Sequence, residues 1–375
     1  MRLPNARAIE LIGGRKEEPI KKAILINDTS TKPHIGCRIV VARILAMAAD
    51  VGIQVTATAS VHTDWRRHDA LKQQMREADV VIVNGEGTLH HSTPAARALA
   101  AVGPFCRDAQ VPAVLINSVY QDNDADLAED CRAFDRIFVR ESRSAGFARE
   151  QGLSAEVVPD LTLTSSVMGP FASASRRDRI VMTDNANLPL SARMVDAGVV
   201  EPDVSFLNLN THESQSYFVP PVHKPAQVFL ETGPTDSSTY KRLSGWSRGI
   251  KAGLSGRSQP FRRARAAYDL RRTRGAEEIL CEIATPRGLI AGRFHAMCLA
   301  MLAETPFVAL PSNTLKTQGL LRDAGLSHRL AEDPVVALRL VRNWSDQERD
   351  RTARFVARAR TDAFAMFREI ASLTR

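Results

Sequence analysis

The sequence predicts an α/β fold in two domains, each a parallel sheet with helices on its faces. Three observations predict it. Apolar runs of strand length alternate with helical patterns over residues 23–165, which implies βαβ units with right-handed crossovers. Residues 168–177 (MGPFASASRR) interrupt that alternation with Gly, Pro and Ser, as an interdomain linker does. A second alternation starts at residue 179. The length of 375 residues exceeds one ordinary domain and suits two.

The elements follow in order. In the first domain, residues 23–27 (AILIN), 53–58, 80–83 (VVIV), 113–117, 136–139 and 156–158 read as strands, being short, apolar and bounded by turn residues. Residues 37–51, 67–78 and 141–151 read as helices from their apolar spacing. In the second domain, strands are expected at 179–183, 204–209, 288–291 and 307–310, and helices at 190–197, 276–284, 295–303 and 315–324. Residues 346–372 are charged on one face and read as one or two closing helices. The plan is an N-terminal extension at 1–22, a first domain at 23–167, a linker at 168–178, a second domain at 179–345 and a closing helix at 346–375.

Composition narrows the class. Hydrophobic residues are 44% and charged residues 25%, so neither a disordered nor a fibrous chain is expected. The net charge of +8 favours an anionic partner or simple solubility. Cys37, Cys106, Cys131, Cys281 and Cys298 are scattered, odd in number and without a CxxC pair. That argues against a disulfide framework and a zinc knuckle, and fits a reducing, cytoplasmic compartment. Neither a signal peptide nor a run of 18 apolar residues is evident, so any membrane association is expected to be peripheral. Residues 241–274 hold eleven basic residues and one acid, Asp269. They could meet an anionic membrane or a lipid-linked sugar, or form a solvated face. Their three aromatics, Trp246, Phe261 and Tyr268, are too few for base stacking, and nucleic acid is not an expected partner.

In parallel sheets, functional residues sit just after the strands. Four segments do. Residues 84–92 (NGEGTLHHS) follow an apolar strand; Gly85 and Gly87 would let backbone approach a ligand, Glu86 could accept a hydroxyl proton, and His90 or His91 could shuttle one. Arg140 follows the strand at 136–139, where a guanidinium takes a carboxylate or phosphate, or pairs with Glu141 at the surface. In residues 158–164 (VPDLTLT), Asp160 reads as a turn cap. Residues 292–316 (GRFHAMCLAMLAETPFVALPSNTLK) place His295 at the start of a buried helix and Lys316 after the next strand, on one sheet edge. A helix start disfavours an imidazolium and a bound anion favours it, which suits a group exchanging one proton near neutral pH. No metal-ligand cluster is visible in the spacing.

Together these segments resemble the polysaccharide pyruvyl transferase family, over about residues 23–325. The match rests on NGEGTLH at 84–90, FVRESRSAG at 138–146, VPDLTL at 158–163 and the stretch 292–316. The resemblance implies a GT-B-like fold, with two Rossmann-like domains facing across a cleft. It implies transfer of the enolpyruvyl unit of phosphoenolpyruvate, as co-substrate, onto two hydroxyls of a sugar, with no cofactor and no metal. The acceptor would be a polysaccharide or lipid-linked glycan, reached in the cytoplasm or at the inner face of the membrane. His295 and Glu86 are then the catalytic residues, and Arg140, Lys316, Arg293 and Asn313 bind the donor. Gly85, Gly87, Thr88 and His90 form a cleft loop. Family members often carry an Asn-x-Gly-Asp turn after the first strand; here the stretch is His34-Ile35-Gly36-Cys37. The competing readings are a GT-B glycosyltransferase with a nucleotide-sugar donor and a non-catalytic binding module of a polysaccharide-synthesis assembly.

Overall fold

The computed structural model describes residues 20–230 and 260–375. Most of the expected N-terminal extension and residues 241–259 of the basic stretch lie outside the described residues.

The first domain alternates strand and helix: β1 (Lys21–Asp28), α1 (Ile35–Asp50), β2 (Ile53–Ser60), α2 (Asp69–Glu77), β3 (Val80–Glu86), α3 (Pro94–Ala100), α4 (Val102–Asp108), β4 (Ala113–Ser118), α5 (Ala125–Cys131), β5 (Arg136–Val139), α6 (Ser142–Glu150) and β6 (Glu156–Val157). The chain continues with β7 (Arg177–Thr183), α7 (Leu188–Gly198), β8 (Val204–Leu207), β9 (Gln227–Phe229), α8 (Pro260–Asp269), α9 (Ala276–Ala284), β10 (Pro286–Ala291), α10 (Phe294–Leu302), β11 (Phe307–Ala309), α11 (Lys316–Asp323), α12 (Pro334–Leu340) and α13 (Asp346–Leu373), of which all but β9 and the end of α13 build the second domain.

Among the described residues all strand pairs are parallel, in two sheets ordered β6-β5-β4-β3-β1-β2-β9 and β11-β10-β7-β8. Val80–Val83 are fully buried, because helices cover both faces of the first sheet. Strand order reverses at β1/β3 in the first sheet and at β7/β10 in the second. Ligands of open α/β sheets bind outside the strand ends at such reversals. Here the two reversals supply the two walls of one site, which makes this a GT-B-like arrangement of Rossmann-like domains.

The closing segment is one helix of 28 residues, α13, started by a capping box between Ser345 and Glu348. Its first half sends Phe355, Val356 and Ala359 into the core of the second domain. Its second half sends Ala363, Met366, Phe367 and Ile370 into the first, beside Ile44, Leu45 and Met47 of α1. The i, i+3/i+4 spacing of those residues makes one apolar stripe that joins both cores.

Three elements differ from the expectation. The helix expected at 67–78 starts at Asp69, because Trp65–Arg67 form a 3-10 turn whose buried Trp65 indole donates to the Ala98 carbonyl at 2.6 Å. Residues 227–229, unassigned by periodicity, return to the first sheet as its edge strand, pairing Ala57 with Gln227. Inside the basic stretch, α8 packs on the second domain. Four arginines on it or just after it meet acids: Arg263 with Asp196, Arg265 and Arg274 with Asp269, and Arg272 with Glu278. None of the described helices is long and apolar enough to cross a membrane.

Candidate active site

His295 lies on the first turn of α10. The turn before it is held by the Thr183 hydroxyl, which accepts from the Gly292 and Arg293 backbone N–H groups at 2.9 and 3.3 Å. Every residue from Phe294 to Met301 is buried, so the helix start is anchored on all sides. His295 is 8% exposed, and its Nε2 lies 3.8 Å from Asp160 Oδ2. Burial lowers the imidazole's pKa; Asp160 and Glu86 oppose that, while Arg140 and Lys316 add to it.

Asp160 is fully buried where the chain leaves β6. Its Oδ1 caps a 3-10 turn by accepting the Thr162 N–H at 3.0 Å, which is the role its sequence context suggests. The other oxygen does more. Oδ2 pairs with Arg140 Nη1 at 3.0 Å and faces His295. Burial alone would raise this carboxyl's pKa, but His295, Arg140 and Thr162 bring it below the ordinary value. The sequence context of Asp160 is that of a structural turn cap; the fold places the residue between Arg140 and His295. The pairing of β5 with β6 and the docking of α10 set that, and no local signal carries it.

Arg140 is 2% exposed and stacks its guanidinium 4.4 Å from the Phe294 ring. Its partner is Asp160, not the neighbouring Glu141. Glu141 turns away and caps α6, accepting from the Arg143 and Ser144 N–H groups. Arg140 Nε is buried without a partner among the described residues, so this guanidinium keeps donor capacity.

Glu86 ends β3 at the strand-order reversal, with a left-handed φ of 40°. The Thr29 hydroxyl donates to its Oε1, and the Cys37 thiol donates to Oε2 at 3.5 Å. Gly85 does not open space for a ligand as expected: a Cβ there would lie under 3.0 Å from the side chain and Cα of Ser118, so the glycine admits β4. Gly87 lies beside Arg140, where a Cβ would stand 3.5 Å from Nη2. Thr88 and His90 continue the loop at intermediate burial; His90 Nδ1 is 2.9 Å from His91 Nδ1, and the loop bridges to Gln121.

From the second domain come Lys316, Arg293 and Asn313. Lys316 opens α11, is buried, and donates to Asn313 Oδ1 at 2.6 Å and to Thr314 Oγ1 at 3.2 Å. Burial, then repulsion from Arg140 and Arg293, pushes its ammonium down to about 7. Arg293 is paired with Asp184 through Nε at 2.9 Å. The domains meet here by fixed contacts: Leu315 N–H donates to Gln121 Oε1 and Ser142 N–H to Asp323 Oδ2, both at 2.8 Å.

The stretch His34-Ile35-Gly36-Cys37 starts α1 and forms part of this site. The His34 ring centroid lies 5.3 Å from that of His295. Burial raises the Cys37 thiol well above its usual pKa, and Glu86 adds to it. Although the spacing shows no metal-ligand cluster, the fold brings one ligand atom each from His34, Cys37 and His295 within 4.8 Å of one another. Two of these residues are about 260 positions from the third, which is why the sequence conceals the group.

The facing reversals and their buried charges define a GT-B-like α/β protein with an interdomain site. The family model for polysaccharide pyruvyl transferases matches residues 15–314. The chain belongs to that family, a family of transferases. Among solved structures it is similar to UDP-GlcNAc 2-epimerase from Methanocaldococcus jannaschii, at 12% identity over 90% of this chain and 99% of that one, with a TM-score of 0.46. It is also similar to UDP-GlcNAc 2-epimerase from Neisseria meningitidis, at 8% identity over 93% and 98%, TM-score 0.46. An alpha-glucosyltransferase in complex with UDP matches at 10% identity over 94% and 99%, TM-score 0.45. Curated protein sequences yield no match.

Proposed function

We propose that this chain transfers pyruvate from phosphoenolpyruvate onto two hydroxyls of one sugar, forming a ketal and releasing phosphate. The supporting observation is the buried cluster of His295, Asp160 and Arg140, with Glu86 and Lys316 close enough for their charges to act on the imidazole. Arg140, Lys316 and Arg293 supply cations for the donor's carboxylate and phosphate. Asn313 orients the Lys316 ammonium.

In this reading His295 protonates the methylene carbon of phosphoenolpyruvate, and positive charge develops at the carbon bearing phosphate. Asp160, 3.8 Å away, steadies the imidazolium that must form first. A sugar hydroxyl adds to that carbon. Its proton passes to Glu86 or back to His295. The carbon–oxygen bond to phosphate then breaks, a second hydroxyl closes the ketal, and its proton leaves with phosphate. The acceptor is a polysaccharide or lipid-linked glycan of the cell surface, met on the cytoplasmic side. Residues 241–274 are the segment proposed to meet its anionic surroundings.

The test is to incubate the full chain with phosphoenolpyruvate and candidate envelope glycans and weigh the products. The expected gain is the mass of pyruvic acid less one water, with equimolar phosphate released. A gain seen only with a nucleotide-sugar donor would reject the reading.

A further inference from the structure

His34 and Cys37 stand in the cleft with no part in the mechanism above. One ligand atom from each, and one from His295, lie within 4.8 Å of one another. A tetrahedral ion with bonds of about 2.0–2.3 Å holds its ligand atoms roughly 3.5 Å apart, so side-chain shifts of about 1 Å would close the set. Two further observations point to a ligand here. His34 Nδ1 and His295 Nε2 are buried without a hydrogen-bond partner among the described residues. His295 is itself more than nine-tenths buried. Buried polar atoms are nearly always paired, so two imidazole nitrogens without a hydrogen bond beside a thiol call for an explanation; the acid facing His295 Nε2, Asp160, stands 3.8 Å off, beyond hydrogen-bond reach.

The rest of the site is built around the same point. Gly36 carries no side chain, and any Cβ there would collide with the His295 ring. His34 and Cys37 come from the start of α1, and His295 from the start of α10, so the set spans both domains. Glu86 Oε2 accepts from the Cys37 thiol. That carboxylate holds the thiol proton while the sulfur is unligated and stands ready to receive it when the sulfur binds a metal.

We propose that His34, Cys37 and His295 bind one divalent transition-metal ion of the zinc class. Two imidazoles and a thiolate form a borderline-soft set, unlike the oxygen ligands of magnesium or calcium. Binding breaks the Cys37 S–H bond; its electron pair forms the sulfur–metal bond, and the proton leaves to Glu86 or solvent. Nothing is oxidised or reduced. A consequence rests on the pyruvyl-transfer reading: the ion occupies a His295 lone pair, so metal binding and proton transfer by His295 exclude each other, and the ion shuts the reaction off.

The test is to strip the full chain with a chelator and titrate it with Co²⁺. The proposal expects a thiolate-to-cobalt charge-transfer band in the near ultraviolet and tetrahedral bands in the visible. These saturate at one equivalent and vanish on adding Zn²⁺. Cys37→Ser and Cys37→Ala each abolish the charge-transfer band, with unchanged circular dichroism as the check on folding. His34→Ala weakens Co²⁺ binding by more than the roughly 10-fold lost with an outer-shell partner. Failure of the wild-type chain to show the band at millimolar Co²⁺, or a band that survives in a folded Cys37 variant, overturns the proposal. In the transfer assay, zinc loading lowers the rate to that of His295→Ala and a chelator restores it; an unchanged rate overturns the exclusion. The cobalt spectrum needs no turnover. A chain that binds Co²⁺ but transfers no pyruvate refutes the catalytic reading alone.

Discussion

Gly36 lies directly against the His295 imidazole: a Cβ added to it would fall under 3.0 Å from Cγ, Cβ and Nδ1 of that side chain. One domain thus leaves a gap that the other domain's histidine fills. The relationship yields an unusual expectation. Ala is a better helix residue than Gly by about 0.8–1.0 kcal/mol, so Gly36→Ala should not weaken α1 itself. It should push the imidazole off its position, and misplacement of about 1 Å can cost 10²-fold. We expect a loss of that order in transfer rate with unchanged helix content by circular dichroism.

Asp160 and Arg140 form a fully buried pair at 3.0 Å. Removing one member of such a pair strands the other charge, at a typical cost of about 3–5 kcal/mol. Asp160→Asn should therefore lower the urea midpoint strongly. The double variant Asp160→Asn with Arg140→Met should recover part of that loss, since no unpaired guanidinium remains. Additive losses in the cycle would show that the two groups are not coupled.

His295 is the proposed proton donor. Positioned proton transfer typically contributes about 10²–10⁴-fold, so His295→Ala should lose rate on that scale while the chain stays folded. In heavy water, one solvent deuterium should enter the methyl group of the ketal made by the wild-type chain. A protium-only methyl would show that the methylene carbon is not protonated from an exchangeable site.

Lys316 sets the pH dependence. Its ammonium, pushed down to about 7 by burial with Arg140 and Arg293 nearby, is present below that pH and lost above it. Affinity for phosphoenolpyruvate should fall as pH rises through about 7, by up to about tenfold per unit. Lys316→Arg stays charged, so its affinity should remain level over the same range. The stability effect has the opposite sense. The unfolded lysine keeps its proton up to 10.5 and the folded one only to about 7, so the unfolded state binds more protons across that window. Stability from this group therefore rises with pH between those values, and Lys316→Met should flatten the rise.

Most of the strand and helix plan was legible because short β-branched apolar runs such as Val80–Val83, bounded by turn residues, favour buried strands of a parallel sheet. The roles of Asp160 and of His34 and Cys37 were not. A turn cap and a dyad of short-range polar residues look the same whether or not a distant segment meets them, and the meeting is decided by β5–β6 pairing and by the docking of α10. Residues 227–229 were missed for a related reason: an edge strand of three residues carries almost no period. The glycines mislead because a close approach requires Gly whether the neighbour is a ligand or, as at Gly85, the next strand.

In the proposed reaction Arg140 and Lys316 hold a doubly anionic three-carbon donor beside His295. Titration calorimetry of the full chain with phosphoenolpyruvate at a pH below about 7 tests it most directly. Saturable heat at one site is expected, abolished in Lys316→Met and strongly reduced in Arg140→Met. No heat from phosphoenolpyruvate, together with saturable heat from a nucleotide sugar, would contradict it.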